Sequence, residues 1–182
     1  MERRLTVEET WRHMESGGAK MPRSPDGKPF IPAAMPAYDD EELGFSFFRS
    51  GLEDGELQNL SLPRTFFGRS GFTRVSFKNT DLSDSCMCWS DFANCDFSGA
   101  DLTGCDMRAS VFADCVFDSA ILRAANLERS TFEGCTFKGA DLTKAVADAV
   151  YGDEYGLIDT LSDEQSASMK WNEEPGPEPE GG

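Results

Sequence analysis

A chain of 182 residues is long enough for one folded body with appendages and short enough to discourage a search for two. No uninterrupted apolar run reaches bilayer-spanning length, and the first residues lack the apolar core of a signal peptide, so a membrane span is not expected and a cytoplasmic address is. The net charge of -16 would on its own suggest a nucleic-acid mimic or a basic partner.

The distribution of that charge argues otherwise. Residues 1–44 hold nine acids and six bases, 45–145 hold fourteen and ten, and 146–182 hold ten and one. Most of the excess therefore sits in the last segment. At the start, Thr6-Val7-Glu8-Glu9 is a capping box, and Val7, Trp11 and Met14 fall on one stripe of a short helix that ends near Gly17-Gly18. A helix so short is marginal in water and is expected to dock, either as a lid on the first coil of the repeat or as a contact for a partner or a second copy. Residues 19–44 are rich in proline and read as an irregular connection, with Phe30, Ile31, Met35 and Tyr38 available to lie along a wall. Residues 1–44 thus form an N-terminal capping helix and connection.

From Phe47 to Leu142 a bulky apolar residue falls at every fifth position. A step of five turns a helix by about 140° and scatters such a set round the axis. On a straight strand the same odd step sends alternate members to opposite faces. The chain must therefore turn between one apolar residue and the next, with three residues extended and two at the corner. Sorted at intervals of twenty, the central residues fall into columns: Leu62, Leu82, Leu102, Leu122 and Leu142; Phe72, Phe92, Phe112 and Phe132; Phe77, Phe97, Phe117 and Phe137. Four pentapeptides then make one coil, and like stacks on like.

These residues carry a resemblance. Ala100-Asp101-Leu102-Thr103-Gly104, Ala125-Asn126-Leu127-Glu128-Arg129 and Ala140-Asp141-Leu142-Thr143-Lys144 resemble copies of the pentapeptide repeat family, over rather more than half of the chain. The resemblance implies an all-β fold, a right-handed quadrilateral parallel β-solenoid, here of about five coils over 45–147 with short terminal helices; about five strand spacings make it about 25 Å long. Members of the family include proteins that bind and protect DNA gyrase by imitating duplex DNA.

Cys95, Cys115 and Cys135 take the small inward position in one column and Cys105 in the opposite one, where free cysteine serves as packing. Cys86 and Cys88 flank inward Met87 and are expected to face outward; with His13 the single histidine, no metal site is expected. Arg64, Arg69 and Arg74 occupy equivalent corners on successive sides, with Lys78 close behind, and no acid falls between Glu56 and Asp81. This group forms a positive girdle and, with Trp89 projecting from a corner, the candidate partner surface; the alternative for Trp89 is cover by the N-terminal connection. Residues 148–171, with Tyr151, Tyr155, Leu157, Ile158 and the capping box at Ser162-Asp163-Glu164-Gln165, read as a partly helical C-terminal cap, and the acidic, proline-rich 172–182 as a disordered tail.

No titratable pair in a cleft, no Ser-His-Asp set and no phosphate-cradling glycine loop can be named, so neither catalytic residues nor cofactors are expected. The expected function is non-enzymatic: a rigid solenoid that binds and modulates or protects a protein partner. Two narrower readings are a DNA mimic that protects a type II topoisomerase, gyrase, from inhibitors, and an immunity or inhibitor protein against one enzyme or toxin. A terminal segment offers a homodimer contact. Nucleic-acid binding by the girdle is the less favoured partner class and would weaken steeply with salt.

Overall fold

The computed structural model describes residues 3–23, 25–27, 44–148 and 156–174. Phe30, Ile31, Met35, Tyr38, Tyr151, Tyr155 and the tail beyond 174 lie outside the described residues. The elements in order are α1 (Val7–Glu15), β1 (Gly51–Glu53), β2 (Gly71–Thr73), β3 (Asp91–Ala93), β4 (Val111–Ala113), β5 (Thr131–Glu133), β6 (Val146–Asp148), α2 (Leu157–Thr160), α3 (Asp163–Ser168) and β7 (Lys170–Asn172).

Strands β1 to β5 form one parallel sheet in chain order, with Leu52, Phe72, Phe92, Phe112 and Phe132 paired in register. The other three sides pair by single bridges at the same twenty-residue offset, such as Ser76 with Asp96, Asp81 with Asp101 and Cys86 with Asp106. On each side the central residue donates its N–H one coil onward, as Phe97 does to Val116 O at 2.7 Å, while the preceding residue donates back, as Asp96 does to Val75 O at 3.0 Å. The backbone is thereby satisfied without long strands.

The product is a parallel β-solenoid of about six turns, rather than the five counted from the repeat. The difference lies at the C-terminal end. Ala147 is buried and takes the inward place although the bulky rhythm has stopped, and β7 then returns to the same side, pairing Val146 with Lys170, Ala147 with Trp171 and Asp148 with Asn172. That return comes after 24 residues, an offset that a five-residue rhythm does not signal.

Each corner is made by the residue two after the centre, held at positive φ whatever its type: Arg64 at 52°, Arg69 at 57°, Trp89 at 57°, Ala124 at 54° and Gly99 at 66°. A side chain in this region costs about 1–2 kcal/mol. Glycine escapes that cost but loses more chain entropy on folding. Replacing exposed Ala124 by glycine is therefore expected to raise stability by about 0.5–1 kcal/mol in urea unfolding, whereas glycine at a strand position would lower it.

Inside, two phenylalanine columns run side by side. Phe72, Phe92, Phe112 and Phe132 stack at 5.0–5.1 Å with near-parallel rings, Phe77, Phe97, Phe117 and Phe137 at 4.8–4.9 Å, and the two columns meet edge to face. Offset-stacked and edge-to-face contacts are the preferred aromatic geometries. The leucine column fills the third side, and Phe67, Met87, Met107 and Leu127 fill the fourth, all buried.

Both ends are closed by non-repeating chain. Thr6 and Glu9 complete the capping box of α1, and hydrogen bonding first by Arg3 and then by the Thr6 N–H holds the Glu9 carboxyl down at about 2. The helix sits on the first coil. The Thr10 hydroxyl accepts from Ser61 N at 2.8 Å, Ser61 Oγ donates to Leu5 O at 2.6 Å, and Trp11 stacks on Phe45 at 6.3 Å. Arg23 pairs antiparallel with Gly51, covering the edge of β1. At the other end Gln165, after closing the capping box of α3, donates from Nε2 to Phe137 O at 2.7 Å and Ala140 O at 3.0 Å, while Met169 and Leu157 cover the last rungs. An open sheet edge would invite pairing with another chain, and these caps prevent it.

Candidate interaction surface

Because the interior is filled, only outward side chains are available for chemistry, and these are set by the corner and the residues flanking each centre. The most varied wall is the one whose centres are Phe47, Phe67, Met87, Met107, Leu127 and Ala147. From the N-terminal end it presents Phe48 and Phe66, stacked at 5.5 Å, then Cys86 and Cys88, then Asp106 and Arg108, then Asn126 and Glu128. Its corner column runs Arg49, Arg69, Trp89, Ala109 and Arg129.

The arginine girdle splits on this geometry. Arg64, Arg69 and Arg74 lie in one coil but at three different corners, so they face different directions. Arg74 is paired with Asp54 at 2.6 Å and Glu53 at 2.5 Å, both one coil back, and hydrogen bonding by Arg74 holds the Asp54 carboxyl below its usual range. Lys78 pairs with Asp96 at 2.9 Å, one coil forward. Arg64 is half-buried at its own corner, and its carbonyl accepts from Gly44 N at 2.8 Å.

Arg69 and Trp89 are the two sequence candidates brought together. The Arg69 guanidinium lies 6.0 Å from the Trp89 ring centre, within cation–π range, and Trp89 is 38% exposed. One coil above, Arg49 lies 5.2 Å over Phe48. Among the described residues neither Arg49 nor Arg69 meets an acid within ion-pair distance. Arg49, Phe48 and Phe66 were missed by sequence reasoning. A twenty-residue step back from Arg69 and from Cys86 would have found Arg49 and Phe66.

Lower on the wall the charges are engaged. Arg108 donates from Nε to Asp106 Oδ1 at 2.8 Å and from a terminal nitrogen to Oδ2 at 2.6 Å. Burial pushes the Asp106 carboxyl up, but hydrogen bonding by Arg108 and Cys88 outweighs it and leaves the group below its usual range. Glu128 is buried and accepts from Asn126 at 3.0 Å and from Asn172 at 2.6 Å, which ties β7 to this wall. Buried Asp148 accepts the Arg129 N–H at 2.8 Å.

The aspartates that precede so many centres have a structural duty. Asp96, Asp101 and Asp141 each accept the backbone N–H two residues on, from Ser98 at 2.9 Å, Thr103 at 3.1 Å and Thr143 at 3.0 Å. Such a bond braces the chain as it enters the corner. Cys95, Cys105, Cys115 and Cys135 are buried, each thiol turned to the carbonyl of a residue 23 positions back. Cys88 departs from the outward exposure expected of it, because the wall covers it to 6% accessibility, while Cys86 stays half-exposed.

His13 is in α1, away from this wall, and no described helix is long and apolar enough to cross a membrane. Residues 87–151 match the family model described as pentapeptide repeat region. No curated protein matches the sequence. Among solved structures, the fold is similar to the pentapeptide repeat protein Rfr23 from the cyanobacterium Cyanothece 51142, at 17% identity over 83% of this chain and 78% of that one, with a TM-score of 0.47. Trypsin-treated QnrB1, a plasmid-mediated fluoroquinolone resistance protein, is 16% identical over 75% of this chain and 69% of its own, with a TM-score of 0.50. Likeness at this identity is one of fold alone. Residues 87–151 are thus a pentapeptide repeat region, and the same five-residue turn and twenty-residue stack continue ahead of them through the earlier coils.

Proposed function

We propose that the protein is a non-enzymatic interaction module whose rigid solenoid binds and modulates or protects a protein partner through the corner formed by Arg49, Arg69 and Trp89. The observation that carries this reading is Trp89 itself, a large aromatic held open to solvent at a left-handed corner beside a guanidinium. Tryptophan and arginine dominate the energetic centres of protein interfaces. Both stand on a backbone fixed by the coils above and below, so little ordering cost remains to be met on association. Two cations without acidic neighbours favour a partner that offers carboxylates, with an apolar group to cover the indole.

The test is affinity capture from the source cell with wild type, Trp89→Ala and Arg69→Glu as baits, followed by titration of the recovered partner. Each variant is expected to weaken binding at least about tenfold with the solenoid intact by circular dichroism. Binding unchanged in both would move the contact elsewhere. The narrower gyrase reading predicts gyrase subunits among the captured proteins, and the inhibitor reading a single unrelated enzyme or toxin.

A further inference from the structure

We infer that Cys86, Cys88 and Asp106 form a binding site for one thiophilic divalent cation of the zinc or cadmium class. The extended segment through inward Met87 turns both flanking side chains to the same outer wall, and their sulfurs stand 3.3 Å apart. Asp106 is the parallel-bridge partner of Cys86 one coil on, so stacking delivers a carboxylate to the pair. The two sulfurs and a carboxylate oxygen all lie within 4.8 Å of one another. A tetrahedral ion with sulfur at about 2.3 Å and oxygen at about 2.1 Å separates its ligands by about 3.6–3.8 Å, which these side chains reach by small rotations.

The surroundings suit a dication. Phe66, the bridge partner of Cys86 on the other side, stacks its ring on Phe48 at 5.5 Å, while Arg108 binds both oxygens of Asp106, its backbone N–H and Nε on Oδ1 and a terminal nitrogen on Oδ2, which leaves Oδ2 with further acceptor capacity. An arginine behind a ligating carboxylate orients it, as outer-shell partners of metal ligands do. Binding is written as loss of two thiol protons to solvent and formation of two sulfur–metal bonds and one oxygen–metal bond, with water completing the shell. The charges of two thiolates, one carboxylate, Arg108 and the dication then sum to zero. The three-residue set spans positions that the sequence separates by a whole coil, and only the stacking joins them.

The probe is Cd(II) added to the reduced full-length chain, read by thiolate-to-cadmium charge-transfer absorption and by proton release. Saturation at one equivalent with two protons released is expected, with Zn(II) displacing the signal. Cys86→Ser alone, at a half-exposed position that spares the core, and Cys86→Ser with Cys88→Ser are both expected to abolish it. Asp106→Asn is expected to weaken binding about 10- to 100-fold. Absence of the band, or a band retained in the double variant and therefore arising from the buried Cys95, Cys115 and Cys135 column, overturns the site. Unchanged affinity in Asp106→Asn overturns the three-ligand assignment.

Discussion

Phe97→Ala is expected to lower the free energy of unfolding by about 3–5 kcal/mol, a large part of the total stability of a domain of this size. The ring is fully buried and lies 4.8 Å from Phe77 above, 4.9 Å from Phe117 below and 5.7 Å from Phe92 beside it. Neighbouring rungs are locked by the backbone hydrogen bonds of their own coils and cannot collapse into the space, so the lost transfer energy is joined by a cavity term. A stacked repeat contacts only its neighbours, so a gap in a middle coil weakens both halves at once. Phe97→Leu should cost about 1–2 kcal/mol, since leucine already heads this column at Leu57. Urea unfolding monitored by far-ultraviolet circular dichroism measures both. An alanine variant within about 0.5 kcal/mol of wild type would show that the rungs do not carry the fold.

Ser110→Ala is expected to cost about 2–4 kcal/mol although it removes one atom. On the side headed by Leu52 the small inward residue is serine at 50, 70, 90, 110 and 130. The Ser110 hydroxyl donates to Met87 O at 2.6 Å and accepts from Ser90 N at 3.1 Å. Its deletion leaves a carbonyl and an N–H stranded in a dry interior, each at about 1–3 kcal/mol. Alanine serves in the leucine column because those turns close on themselves: Ala100 N donates to Phe97 O at 2.9 Å, and Ala120 and Ala140 repeat the pattern. Ser110→Cys keeps a weak donor and should fall between. If Ser110→Ala unfolds like wild type, the serine ladder is packing alone and not a hydrogen-bond requirement.

The two predictions differ in how visible their causes are in the sequence. The phenylalanine columns emerge from counting at five and at twenty, because side-chain period and backbone turning are rigidly linked in a short repeat. The serine ladder is equally regular on paper. Its necessity is not, because whether a turn supplies its own hydrogen bond depends on backbone geometry that a run of small residues does not encode.

The candidate surface shows the same limit. Arg64, Arg69, Arg74 and Lys78 form a girdle when read along the chain, where no acid intervenes between Glu56 and Asp81. In space the relevant neighbours lie about twenty positions away, and there Arg74 meets Asp54 while Lys78 meets Asp96. The same offset places Arg69 over Trp89 and brings Asp106 beneath Cys86.

The sequence by itself determined the solenoid, its inward columns and the capping boxes of α1 and α3, since these arise from interactions within a few residues or from strict periodicity. Tertiary structure alone decided which charges survive unpaired, which thiols are covered, and how β7 returns to close the last coil. Those outcomes depend on contacts between coils and on chain that has left the repeat, where side-chain reach and the competition among neighbours replace periodicity as the governing physics.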